Sequence, residues 1–270
     1  MFAALSVPQA LSVPQALSAP QGLGTVHTSC NHVVHGNSTK VIRKVVPDIA
    51  KIKQAFSMGE VSGQNTTKLR VAVVFTGRAT CYEETYEWFS NLSKKYAVDF
   101  YCSISTELNE YYQGLIDSYS VKKYKFGTTN EPQIDIPPLV NQYARSMFYN
   151  FKEAVDLVPP SDYDVILYAR ADMVCADDID LSVAKGLDNT VFIPRGNDYG
   201  GTNDQMAFGT PPAMFKYSRL YDSIPEYITN GFFSYNAETV LHGHLCTVGL
   251  DVRRFELEYH LHPDRHYYEE

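Results

Sequence analysis

A chain of 270 residues with 44% apolar content has the material for one large α/β domain, or two small ones, around a sizeable core. Its 23 Lys and Arg stand against 31 Asp and Glu, a net charge of −8, which argues against the extended basic footprint that nucleic-acid binding needs. No apolar run reaches the ~18 residues of a bilayer span, and the first residues lack the basic region and continuous apolar stretch of a secretory leader.

The five cysteines, Cys30, Cys81, Cys102, Cys175 and Cys246, form no CxxC pair and show no zinc-type spacing, so they read as buried free thiols in a reducing, cytoplasmic setting. The sequons at Asn37, Asn65 and Asn91 are then chance matches.

In chain order, the opening repeat ALSVPQ, ALSVPQ, ALSAPQ carries a proline in every copy and suits neither helix nor strand, so residues 1–40 are expected to be disordered. Val41, Ile42, Val45, Val46, Ile49, Ile52 and Phe56 recur at helical spacing across Pro47 and predict an outer helix, with a polar linker ending at residue 68. The domain proper is expected over residues 69–270. LRVAVVFTG, from Leu69, is an apolar run closed by glycine, the pattern of a central parallel strand. A helix follows from Tyr82, with Tyr86, Phe89, Leu92 and Tyr96 on one face.

VDFYCSIS alternates as a half-buried strand does, and Val140, Ala144, Met147, Phe148, Phe151 and Val155 trace a second amphipathic helix. DVILYARAD, Asp164 to Asp172, is another buried strand. Further strands are predicted at 190–194, 205–209 and 251–257, and a helix at 236–248 with an Asn N-cap and a closing Gly249. Strands alternating with helices imply a doubly wound α/β sheet.

Ligands of open α/β sheets bind beyond the carboxyl ends of the strands, so the residues there carry the functional reading. After the first strand, Gly77 permits close backbone approach, and Thr76 and Arg78 are suited to a base or phosphate; a plain strand-ending turn reads the same way. After the fourth, Arg170 and Asp172 lie two residues apart and so on one side of an extended segment. A carboxylate there suits a hard cation, Mg²⁺ or Mn²⁺, beside a diphosphate, or caps a turn.

YDVILYARADMV, followed by NDQMAFGTPPAMFKYSRLY and NAETVLHGHL, resembles the GT-A glycosyltransferases, in particular those with which large algal DNA viruses decorate their capsids. The resemblance spans residues 69–266. It implies a GT-A-type mixed sheet with flanking helices, a nucleotide-sugar donor, and an Asp-x-Asp-type motif holding metal and donor. Arg170 stands at the first acidic position of that motif, leaving Asp172 as principal metal ligand and Arg170 to a phosphate or an acidic neighbour. The resemblance further places Arg145 beside the nucleotide, makes His262 a second metal ligand, and makes Glu238, at a helix start, the base of an inverting transfer. Asp204 is the competing base, because related retaining enzymes keep an Asp-Gln pair near the donor sugar. His242, four residues past Glu238, shares its helix face.

The implied reaction moves a sugar from a nucleoside-diphosphate donor, UDP-linked as with xylose or glucose, to a glycan or glycoprotein hydroxyl. A nucleotidyltransferase that makes nucleotide-sugars is the runner-up, although VFTGRATCYEE lacks the Gly-, Arg- and Lys-bearing loop of that class. A non-catalytic carbohydrate binder of the same fold is the third reading.

Overall fold

The computed structural model describes residues 68–77, 79, 81–104, 110–126, 142–230 and 236–261. All of these lie in the second of two compact units, Val46–Glu270. The expected N-terminal tail, the helix near residues 41–58, Arg78, Val140 and His262 fall outside them.

The first strand, β1 (Arg70–Thr76), has six consecutive buried residues, as a strand covered on both faces must. It pairs in parallel with β2 (Ala97–Ile104) on one side and β4 (Val165–Arg170) on the other. With β3 (Lys123–Phe126), β6 (Thr190–Pro194), β7 (Met206–Gly209) and β8 (Asp251–Phe255) they form a seven-stranded sheet of order β3-β2-β1-β4-β7-β6-β8. β7 runs antiparallel to both β4 and β6, while β6 and β8 pair in parallel. Because β7 alone is reversed, the connection from β6 to β7 stays at the carboxyl edge of the parallel strands. A small second sheet joins β5 (Met173–Cys175) to β9 (Tyr259–Leu261).

Helices cover both faces. On one, α1 (Tyr82–Lys95) and α2 (Glu110–Ser118) pack Phe89, Leu92 and Leu115 against Val71, Val73, Phe75, Leu167 and Ala169. Phe75 meets Phe89 edge-on at 4.6 Å and Tyr119 at 5.0 Å. On the other, α3 (Gln142–Asp156), α4 (Pro211–Ser218), α5 (Leu220–Thr229) and α6 (Ala237–Thr247) cover Ala72, Val74, Ile166 and Tyr168. The doubly wound α/β mixed sheet is thus as expected.

β2 differs from its predicted alternation. Phe100, Tyr101, Cys102 and Ser103 are buried in succession, because helices cover both sides of this strand too. β3, α2, α4 and α5 were not anticipated. Cys81, Cys102 and Cys175 are buried free thiols, whereas Cys246 is free but exposed. No helix among the described residues is long and apolar enough to cross a membrane.

Candidate functional site

Register brings three chain segments together at the carboxyl edge. Thr76 lies opposite Arg170 in the β1–β4 pair, and the Ala171 N–H donates to the Thr76 carbonyl at 3.0 Å. From the other side, the Arg170 N–H donates to the Gln205 carbonyl at 3.3 Å. Residues 76–77, 170–172 and 203–205 are therefore neighbours. Strand alternation sends Tyr168, Arg170 and Asp172 to the α3 side. Thr76 shares that side, its hydroxyl lying 3.4 Å from the Tyr168 oxygen.

Arg170 and Asp172 bind each other. Nε donates to Oδ1 at 2.8 Å and Nη2 to Oδ2 at 2.6 Å, a bidentate fork. Asp172 has no exposed surface, while 23% of the Arg170 side chain remains open. Burial works against the guanidinium's charge, but the Asp172 carboxylate outweighs it and holds the arginine firmly protonated.

Thr76 is buried, and Gly77 has φ +89° with open space where a Cβ would stand. This glycine serves the backbone turn rather than a close approach. Arg145 lies half-buried in the first turn of α3 and takes no part in the Arg170–Asp172 pair.

The loop from Gly196 to Gln205 is tightly braced. Gly196, Asn197, Tyr199 and Gly200 all have positive φ, at 84°, 53°, 41° and 86°. Asp198 Oδ1 accepts from the Asn203 N–H at 3.0 Å and from Arg254 Nη2 at 2.7 Å. Asn203, fully buried, donates through Nδ2 to the Gly196 carbonyl at 2.9 Å and to Tyr259 Oη at 2.6 Å, and accepts from the Gln205 N–H at 2.9 Å. So many partners can hold non-glycine residues in a left-handed conformation, which otherwise costs on the order of 1–3 kcal/mol each.

The same loop is clamped to the start of α6. A Cβ on Gly201 would fall 2.1 Å from the carbonyl carbon and oxygen of Glu238, and the Thr202 N–H donates to that carbonyl at 2.9 Å. Asn236 caps α6 by accepting from the Glu238 N–H at 2.9 Å and donates to the Tyr199 carbonyl at 3.0 Å. Helix and loop thereby bring the Asp204 and Glu238 carboxyls within electrostatic reach.

Burial, and next the charge of Glu238, push Asp204 up to about 6, against the pull of Arg170. Burial also raises Glu238, reinforced by Asp198 and opposed by its own backbone N–H. Arg170, Asp204 and Glu238, nominated separately, thus form one electrostatic group.

His242 turns from Glu238 to Thr202, its Nδ1 lying 3.1 Å from Oγ1. Asp177, Asp178 and Asp180 are exposed and serve local structure: Asp178 pairs with Lys95 and Asp180 caps the turn at Ser182. His244 is a core histidine, bonded to Tyr227 Oη at 2.8 Å and to the Lys216 carbonyl at 3.0 Å, and burial lowers its pKa.

Sequence reasoning met Gln205 only as the second member of an Asp-Gln pair and gave it no role of its own. Its side chain is buried, and Oε1 meets no hydrogen-bond donor among the described residues. A buried amide oxygen left unpaired costs about 1–3 kcal/mol unless something fills the gap, which marks the position beside Asp204 as unfinished. Its place next to Asp204 in GTNDQ was the available signal.

The resemblance implies a divalent cation held by Asp172 and His262. Both oxygens of Asp172 are engaged by Arg170, and no group of three His, Cys, Asp or Glu among the described residues converges to hold an ion. The other expected ligand, His262, lies outside the described residues, which leaves Asp172 as the one expected ligand among them. A hard divalent cation beside a diphosphate takes one or two carboxylates together with phosphate and water oxygens, and the Asp172 carboxylate is here engaged by Arg170.

No protein-family model matches the chain, and no curated protein matches it.

Proposed function

We propose that this protein is a glycosyltransferase of the GT-A type, moving a sugar from a nucleoside-diphosphate donor, UDP-linked as with xylose or glucose, to a hydroxyl of a glycan or glycoprotein. The observation that carries the reading is the grouping of Arg170, Asp204 and Glu238 at the carboxyl edge, where three separate elements deliver one cation and two carboxyls of raised pKa. The strand order, with one reversed strand beside β4, supports the GT-A assignment.

In this reading Arg170 takes the charge of the leaving diphosphate. Glu238, only partly buried, is the base: the acceptor oxygen bonds to the anomeric carbon as the bond from that carbon to the diphosphate oxygen breaks. The diphosphate leaves with the electron pair, and the acceptor proton passes to Glu238. Asp204, with the open acceptor of Gln205 beside it, orients hydroxyls of the donor sugar. A carboxyl raised above its ordinary range is closer in pKa to its working pH and so better matched to proton transfer.

Calorimetric titration with a panel of nucleotide-sugars tests the reading. Binding of one donor is expected, with Glu238→Gln keeping that affinity and losing transfer by about 10²-fold or more. Absence of binding by every donor would remove the proposal, and full turnover in Glu238→Gln would pass the base role to Asp204.

A further inference from the structure

We infer that the diphosphate of the donor is bound without a divalent cation, the Arg170 guanidinium standing in the metal's place and Asp172 holding it there. The inference rests on the transfer reading above and deepens it. Arg170 and Asp172 are i and i+2 at the end of β4, so they leave the sheet on one side and are placed to pair. The fork they form uses Nε and Nη2 and occupies both carboxylate oxygens. A cation seeking Asp172 would have to enter a position with no exposed surface and expel the guanidinium.

Arg170 has donors to spare. Of the five N–H groups of a guanidinium, those on Nη1 and the second on Nη2 are not used on Asp172, and the side chain keeps 23% of its surface open at the carboxyl edge. A planar guanidinium matches two phosphate oxygens as it matches a carboxylate. Charge balance agrees: an Arg–Asp pair is neutral overall, as is a divalent cation held by two carboxylates. Replacing the first acid of such a pair by arginine therefore supplies internally the positive charge that a metal would bring. Asp172 fixes the rotamer, so little conformational freedom is left to lose when phosphate binds.

The test uses the full chain, Mn²⁺ and UDP. The electron paramagnetic resonance signal of free Mn²⁺ is expected to be unchanged on adding protein, and UDP affinity to differ by less than about threefold between Mn²⁺ and EDTA. Arg170→Lys, which keeps the charge but loses the fork, is expected to weaken UDP by about tenfold in EDTA. One tightly held Mn²⁺ per chain, or loss of UDP binding in EDTA alone, overturns the inference and leaves the transferase reading standing. Failure of UDP to bind under either condition overturns the inference, and binding of another donor in the panel would then keep the transferase reading.

Asp172→Asn gives a readout that needs no nucleotide. A buried counter-ion of Arg170 should lower the melting temperature equally with and without Mn²⁺ when removed. An unfilled metal ligand should instead raise that of the metal-free chain, and that outcome overturns the inference.

Discussion

Asp204 shows most directly how the site is charged. Its carboxyl is pushed up to about 6 from an ordinary 3.8, so between those values the folded chain holds a proton that the unfolded chain has lost. Stability from this group is fully present below the unfolded value and is lost as pH rises through about 6; the two-unit shift amounts to about 3 kcal/mol. Asp204→Asn removes the buried charge and should melt higher than the parent at neutral pH, by several degrees at ~2–4 °C per kcal/mol. The gap should close below pH ~3, where Asp204 is neutral in both states. Thermal melts across that range decide it, and equal melting temperatures at neutral pH would mean that the ionised carboxylate is well solvated.

Position past a strand picked out Arg170 and Asp172, whereas Asp204 and Glu238 came from the resemblance. Neither source settled the pairing. Residues at i and i+2 share a side whether they grip each other or a ligand, and only the fold shows that Arg170 and Asp172 grip each other. His242 shows the same limit: spacing aimed it at Glu238, and the fold sets its Nδ1 3.1 Å from Thr202 Oγ1.

Among the elements, those with one strong period were legible. β1, β4 and β6 read as apolar runs, while α1, α3 and α6 show helical stripes or a clear cap. α4 and α5 were hidden although Ala213, Met214, Tyr217, Leu220, Tyr221 and Ile224 are buried at helical spacing. Pro211, Pro212 and Pro225 break that string to the eye, yet the first two sit where a helix start tolerates proline. β3 was missed for the opposite reason: KYKF is short, and Lys123, Tyr124 and Lys125 are exposed at the sheet edge.

The contact between α6 and the 196–205 loop is the element-scale feature on which the site depends. Gly201→Ala places a methyl group against the backbone of Glu238 and Thr239, which no rotamer change can relieve. The loop must lift from α6, at a cost of about 1–3 kcal/mol. Transfer should fall sharply while UDP affinity is kept, since Arg170 is positioned by β4 rather than by this contact. Wild-type melting and turnover in Gly201→Ala would show that the clamp is absent in solution.

At the scale of the molecule, the sheet's construction sorts rigid from yielding parts. β1 has a strand on each side and helices on both faces, and Val71, Val73 and Val74 have no exposed surface. β8 lies at the edge of the sheet, with each residue at least partly exposed. Opening β1 therefore requires breaking both core clusters, whereas releasing β8 from β6 loosens only Val252 and Phe255 at their margins.

Native-state hydrogen exchange should find the β1 and β4 amides exchanging only through global unfolding, and those of β8 and β9 through local opening of lower free energy. The consequence for the site is an unequal pair of supports. Arg170 ends β4, which is paired on both sides, and Asp172 follows it, whereas Asn203 is braced by Tyr259 and Asp198 by Arg254, on strands that move most easily. Ligand binding at the carboxyl edge should accordingly raise protection in β8 and β9 while leaving β1 unchanged. Equal protection of β8 and β1 in the free chain would show that the edge is covered by something beyond the residues that pack against it here.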